Sequence, residues 1–237
     1  MPQFEPRFFR IAAVMADPTR SRMLAALLGG EHRSAGELAA VAGVTAQAAS
    51  TQLAQLVDSA LVAVRRQGRY KYFALADAEV AHALEALSLV AQRDAVSARW
   101  QRPSFKPLKH ARRCYSHMAG ELGVAQFEML MRCGHLQPGV QGLQLSDAGH
   151  AWMASLGLPV PGKSSARFAY PCMDWSERKD HLAGTLSRAL LEHYLERHWL
   201  TADRDSRALK LTLKGQRELL PLLAADMQLS LVRPVQA

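Results

Sequence analysis

The stretch whose reading decides the fold is TAQAASTQLAQLVDSALVAVRRQGRYKYF, residues 45–73. Thr45 suits the start of a helix over residues 46–59, because its hydroxyl can accept from an amide of the first turn. Along that helix Ala49, Leu53, Leu56 and Val57 form one apolar face. Gln47, Ser50, Thr51 and Ala54 recur on the opposite face at i, i+3, i+4 and i+7. Val62-Ala63-Val64 and Tyr70-Tyr72 then alternate as strands around a Gln67-Gly68 turn. Arg65, Arg66, Arg69 and Lys71 crowd the tip of this hairpin. Four cations so close repel one another unless an anionic partner or solvent screens them.

Working upstream, Ser34 and Glu37 have the spacing of a capping box, which predicts a short helix from 35 to about 42. Gly43 permits the tight turn into the next helix. Residues 8–28 carry a helical period in Phe9, Ala12, Ala13, Met15, Met23, Leu24, Leu27 and Leu28. Asp17-Pro18 interrupts it: Asp17 caps a second helix, Pro18 fits its first position, and Gly29-Gly30 stops it. Helix, helix, turn, helix and basic hairpin, in that order, make a winged helix-turn-helix. Such a unit lays one helix in the major groove of double-stranded DNA and the hairpin on flanking phosphates. The expected DNA contacts are Thr45, Gln47, Ala48, Ser50, Thr51, Gln52 and Gln55 on the helix, with Arg65, Arg66, Arg69 and Lys71 on the wing. Short hydroxyl and amide side chains let a helix approach base edges closely.

Ala16-Asp17-Pro18-Thr19-Arg20, the turn from Glu37-Leu38-Ala39 to Gly43-Val44-Thr45, Ser50-Thr51-Gln52-Leu53 and Gly68-Arg69-Tyr70-Lys71-Tyr72-Phe73 together resemble the ArsR/SmtB family of repressors, over about residues 8–95. The resemblance implies a homodimer built on the terminal helices of this domain, here residues 8–16 and 78–96. It also implies a palindromic site with half-sites about one DNA turn apart. Family members that bind metal on the first helix of the turn carry a cysteine pair there, whereas this chain has Ala39 and Val41. Members that bind zinc on the dimerising helix carry several His and acidic ligands; this chain offers only His82 with Asp77 and Glu79. Neither family metal site is expected.

The chain has 237 residues, ample for two domains with real cores. Its residues are 49% hydrophobic and 21% charged, which indicates a globular protein. No apolar run approaches the ~18 residues needed to span a bilayer. The N-terminus lacks the order of a secretion signal, and three cysteines are too few for a disulfide framework, so a cytoplasmic protein with no membrane partner is expected. The net charge of +8 favours polyanionic partners, although residues 1–100 hold 11 basic and 9 acidic side chains, so most of the excess lies beyond them.

Arg102-Pro103-Ser104-Phe105-Lys106-Pro107 reads as part of a linker over 101–109, separating a DNA-binding and dimerisation domain, 1–100, from a C-terminal regulatory domain, 110–237. Within the latter the chain repeats itself. At an offset of 64, His117, Ala119, Gly120, Leu122, Ala125 and Leu136 fall on His181, Ala183, Gly184, Leu186, Ala189 and Leu200. Two residues further out of register, Leu143, Leu145 and Gly149 fall on Leu209, Leu211 and Gly215. Each copy reads as a helix, a Leu-x-Leu strand, and a helix after Ser/Thr-x-x-Gly, giving two helix–strand–helix lobes at about 110–157 and 174–233. The fold class expected for the whole is mainly α with small β wings, α+β. Longer proteins of the same resemblance share segments similar to residues 113–120 and 172–178.

Chemistry in this region is that of thiol and imidazole. Cys114 and His117, three apart, would share a helix face, and His110, four before Cys114, could join them. Cys172 lies ahead of His181, which is expected in the helix that follows. If the two lobes pack about a pseudo-twofold, His117 and His181 could face each other near Cys114 and Cys172, a set able to hold a metal ion or a redox-active pair. Arg112 and Arg113 would then depress the Cys114 thiol pKa. Trp152, Trp175, Trp199, Tyr170 and Phe168 could instead line a pocket for an organic effector, although aromatics in such helical regions more often form core. Residues 168–171 should be extended. No cofactor is assured.

No catalytic set emerges. No strand leads into a Gly-x-Gly turn after residue 100, and Ser164-Ser165 lacks a Gly-x-Ser-x-Gly context, so no enzyme is expected. The sequence points to a dimeric DNA-binding regulator, a repressor released by an effector or redox change in the C-terminal domain. The alternative is an architectural or protein-interaction protein of low sequence specificity.

Overall fold

A computed structural model describes residues 6–91, 106–140, 142–162, 167–203 and 206–224. The expected continuation of the dimerising helix to 96, linker positions 101–105 and the chain after 224 lie outside the described residues. Two compact units result, one built chiefly from residues up to 94 and the other chiefly from those beyond.

The first unit runs α1 (Pro6–Met15), α2 (Pro18–Leu27), β1 (Arg33–Ser34), α3 (Ala35–Ala42), α4 (Ala46–Asp58), β2 (Val62–Gln67), β3 (Tyr70–Leu75) and α5 (Ala78–Ala91). The caps fall where the side chains dictate. Asp17 Oδ1 accepts from the amides of Thr19 and Arg20 at 2.8 and 3.0 Å. These amides, Arg20's foremost, hold the Asp17 carboxyl below its ordinary pKa. Ser34 and Glu37 form a complete capping box, and Thr45 Oγ1 accepts from Ala48 N. Gly43 takes φ +71° as the left-handed end of α3. Met23, Leu24, Leu27, Leu38, Ala49, Leu53 and Leu56 interlock as the core. Each large aliphatic side chain buried there contributes about 1.5–3 kcal/mol.

The hairpin is longer than the sequence suggested, and its turn is Gly68-Arg69, one residue later than expected. Gly68 at φ +59° meets the need of a two-residue turn for a residue at positive φ. A two-residue strand that the sequence did not announce, β1, pairs with β3 through Arg33↔Phe73 and Ser34↔Tyr72, giving a three-stranded sheet in the order β1-β3-β2.

The described chain beyond residue 105 opens with α6 (Lys106–His110), so the last positions assigned to a linker are helical. Then come β4 (Arg112–Cys114), β5 (His117–Ala119), α7 (Glu121–Arg132), β6 (Leu136–Gly139), β7 (Gly142–Leu145) and α8 (Asp147–Ser155). The same order follows again as β8 (Tyr170–Met173), β9 (Asp180–Ala183), α9 (Thr185–Glu196), β10 (Leu200–Ala202), β11 (Leu209–Leu211) and α10 (Leu213–Leu223). The expected helix–strand–helix unit was incomplete. Each set begins with a two-stranded hairpin, and each Leu-x-Leu strand is one arm of another, with Leu136↔Leu145 and Leu200↔Leu211 in register. Strands of three or four residues are too short to show a clear alternation in sequence.

Equivalent glycines do equivalent work in the two sets. Gly120 and Gly184 precede α7 and α9 at φ +83° and +101°. Gly149 and Gly215 donate to Ser146 Oγ and Thr212 Oγ1 at 3.0 and 2.9 Å. A side chain on either would run into a backbone carbonyl, that of His135 or of Trp199. The packing is crossed: α7 lies against β9 and α9 against β5, and the two strands lie side by side. Met118, Leu122, Leu182, Leu186, Leu190 and Tyr194 fill the centre.

Candidate functional site

On α4 the apolar face is buried through Ala49, Leu53 and Leu56, and Gln47, Ala48, Ser50, Thr51 and Ala54 are exposed. Thr45 is exposed at the cap. Ser50 Oγ and Thr51 Oγ1 donate back to the carbonyls of Ala46 and Gln47 at 2.9 and 3.4 Å, leaving their oxygens open as acceptors. Gln52 and Gln55 are placed differently. Both Oε1 atoms accept from Arg20 Nη1, at 2.7 and 2.5 Å, which ties α4 to α2. Arg20 Nε also donates to the carbonyl of Val14. The sequence showed Arg20 only as the end of a helix-start motif; its role as a strut for α4 was invisible there.

On the wing all four cations are exposed, yet they divide between two faces. Arg66 and Lys71 are cross-strand partners on the same face as Val64 and Phe73. With Ser50, Leu53, Ala54 and Asp58 they line a groove of about 520 Å³ between α4 and the hairpin. Arg65 pairs with Tyr72 on the other face, and Arg69 Nη2 donates to Tyr70 Oη at 2.9 Å. Like charges directly opposite on a strand pair are unfavourable by themselves, so Arg66 and Lys71 suit an anion set between them.

On the β4–β5 and β8–β9 hairpins the four thiol and imidazole candidates come together. The ligand atoms of Cys114, His117, Cys172 and His181 all lie within 4.8 Å of one another. The local geometry differs from that expected. Cys114 ends β4 and His117 begins β5, so strands and not a helix face set their spacing. His181 lies on β9, directly opposite Cys172 on β8. His110 stays away and contacts Glu121 at 2.9 Å, which holds that carboxyl below its ordinary pKa. His117 Nε2 and His181 Nε2 are 3.0 Å apart, with the rings stacked at 5.0 Å. Cys114, His117 and His181 are buried and Cys172 is half-buried. None of the cysteines is in a disulfide.

Behind this cluster stands a carboxylate that the sequence reading passed over. Asp174, fully buried, accepts from Arg112 Nη2 at 2.9 Å, Ser176 N and Oγ at 2.8 Å, and the Gly120 amide at 2.7 Å. Its Oδ2 faces His181 Nδ1 at 3.5 Å. Burial pushes the carboxyl pKa up, but the Arg112 guanidinium and the Gly120 amide outweigh it and hold the group well below the usual carboxylate range. Arg112 is therefore spoken for. It pairs with Asp174, donates to Ser176 Oγ and the Leu108 carbonyl, and lies 4.3 Å over the Trp175 ring. Arg112, read from the sequence as a neighbour of the Cys114 thiol, is the counter-ion of Asp174.

The aromatic candidates are scattered and partnered. Trp175 serves Arg112; Trp199 is buried against Tyr194 at 5.5 Å; Trp152 stacks on His135 at 5.3 Å; and Tyr170 lies under Arg167 at 3.7 Å. Phe168 packs against the core, and residues 170–173 are extended as β8.

Fold and exposed helix face define the class, a winged helix-turn-helix DNA-binding protein. A helix-turn-helix domain family matches residues 15–65. The HTH-type transcriptional regulator YdfF of Bacillus subtilis (strain 168) is 34% identical over 213 residues, covering 89% of this chain and 94% of that one. The HTH-type transcriptional regulator CmtR of Mycobacterium tuberculosis is 41% identical over 80 residues, 34% of this chain and 67% of its own. Among solved structures, the homodimeric winged helix-turn-helix DNA-binding domain of Mb0332 from Mycobacterium bovis covers 39% of this chain and 86% of its own, at 26% identity and a TM-score of 0.36. The chain belongs to the ArsR family of helix-turn-helix transcriptional regulators, with a further C-terminal region that its full-length relative shares. These relatives are transcriptional regulators, not enzymes. Among the described residues no helix is long and apolar enough to cross a membrane.

Proposed function

We propose that the chain is a sequence-specific, dimeric repressor acting in the cytoplasm, with DNA binding and dimerisation in residues 1–100 and regulation in 110–237, beyond a linker at 101–109. One observation carries the reading: Ser50 of α4 and the Arg66–Lys71 pair line a single groove, and Gln47 and Thr51 are exposed on the same helix. Base edges would meet Gln47, Ser50 and Thr51, while phosphates would meet the wing. Dimerisation is supported by apolar side chains left exposed on the two terminal helices, Phe8 and Phe9 on α1 and Leu87 and Val90 on α5. The two like sets of elements after residue 110 form a pair of lobes whose state, set by an effector or a redox change, would alter the spacing of the two recognition helices.

The test is a binding titration of the full chain on duplexes selected from a random pool, against scrambled ones, at two salt concentrations. Gln47→Ala and Thr51→Ala are expected to lose about 1–3 kcal/mol of preference for the selected duplex. Arg66→Ala and Lys71→Ala should weaken binding to both duplexes and lower the salt slope by about 1. Wild-type preference in both α4 variants would remove the groove assignment. Equal affinity for selected and scrambled duplexes would favour the architectural reading.

A further inference from the structure

We infer that Cys114, His117, Cys172 and His181 form a closed, four-coordinate site for a borderline divalent ion of the Zn(II) class, joining the β4–β5 hairpin to the β8–β9 hairpin. This does not rest on the DNA-binding reading. None of the four residues lies in the stretch matched by the helix-turn-helix family, and neither place where short relatives of the resemblance hold metal supplies them.

The donor set is the first argument. Two thiols and two imidazoles are what Zn(II) takes in sites with no open position. Thiolates discriminate against Mg(II) and Ca(II), which prefer oxygen. Geometry is the second. Bond lengths of ~2.3 Å to sulfur and ~2.0–2.1 Å to nitrogen put tetrahedral donor atoms about 3.3–3.8 Å apart. The four atoms here already lie within 4.8 Å of one another, and the two Nε2 atoms are 3.0 Å apart. Closing on an ion needs movements of an ångström or less, with no change of strand register.

The carboxylate behind His181 is the third. Metal-bound imidazoles characteristically offer the other ring nitrogen to a carboxylate, which fixes tautomer and orientation. Asp174 Oδ2 stands 3.5 Å from His181 Nδ1 and is itself held by Arg112 and the Gly120 amide. Asp174 is a positioning residue, and its charge is balanced by Arg112 and not needed by the ion. Charge closes the case. Binding M(II) displaces one proton from each thiol, so the ion, two thiolates and two neutral imidazoles sum to zero. A neutral centre suits a site with three of four ligands buried. The half-buried Cys172 gives a path for entry.

The experiment is metal analysis of the full chain, purified under reducing conditions and dialysed against Zn(II), followed by Co(II) substitution. About one ion per chain is expected, and the Co(II) form should show the strong visible bands and thiolate charge-transfer absorption of a tetrahedral Cys2His2 centre. Cys172→Ser should lose most of the bound ion and the charge-transfer intensity of one thiolate. Cys133→Ser, an exposed thiol elsewhere in the unit, should match wild type. Should Cys114→Ser or His181→Ala fail to fold, the wild-type Co(II) spectrum still decides, because it reads donor type and geometry directly. Chelation should lower the wild-type melting temperature and leave that of Cys172→Ser unmoved. The assignment is overturned by substoichiometric metal with an octahedral Co(II) spectrum, by Cys172→Ser binding like wild type, or by a reversible Cys114–Cys172 disulfide in protein that takes up no metal.

Discussion

The two units place their chemistry in opposite ways. In the first, the face proposed to meet DNA is drawn from one helix and the hairpin beside it, residues 45–71, and nearly all of it is exposed. Beyond residue 110, the four thiol and imidazole residues come from two hairpins whose cysteines are 58 positions apart in sequence, and three of the four are buried. An exposed face can be altered without disturbing the fold that presents it. A buried cluster is part of what holds its fold together, so chemistry and stability cannot be varied separately there.

Substitutions that sharpen this contrast differ in size. The largest effect is expected from Arg112→Met, which strands the buried Asp174 carboxylate; a loss of about 3–5 kcal/mol in urea unfolding should follow. A change below about 1 kcal/mol, the range of an exposed pair, would show that the Gly120 and Ser176 donors suffice for Asp174. Next is Gly215→Ala, where the added methyl meets the Trp199 carbonyl; about 1–3 kcal/mol should be lost, with selected-duplex preference intact. The same replacement in the first unit, Gly36→Ala, should have the opposite sign. Gly36 lies in α3 with nothing within 4 Å of the new methyl, and a gain of about 0.4–1 kcal/mol is expected, read as a higher urea midpoint. If both glycine variants shift stability alike, the packing contrast between the units is wrong.

How much was legible follows the range of the interactions. Capping by Asp17, Ser34 and Thr45 is set by residues two or three apart, and the sequence announced it. The internal repeat was also legible, because the helix starts at Gly120 and Gly184, 64 apart, and the Ser146 and Thr212 caps, 66 apart, repeat the same local chemistry. The opening hairpins were not, since β4, β5, β8 and β9 are three or four residues long, too short for a strand period to stand out in sequence. For the same reason the spacing of Cys114 and His117 suggests a helix face where the chain forms two strands. Arg20 as a strut and Arg112 as the counter-ion of Asp174 were hidden as well, because an arginine in sequence reads as surface charge until a buried partner is seen.

By itself, then, the sequence determined a winged helix-turn-helix, the polar face of its α4 and its cationic hairpin, because periodicity and capping act within a turn or two of chain. It also named the four thiol and imidazole residues. That they converge, that Asp174 stands behind them, and that the wing's cations divide between two faces were decided by tertiary structure alone. Those facts depend on strand register and on helices crossing between the two sets of elements, and contacts so distant along the chain leave no local pattern to read.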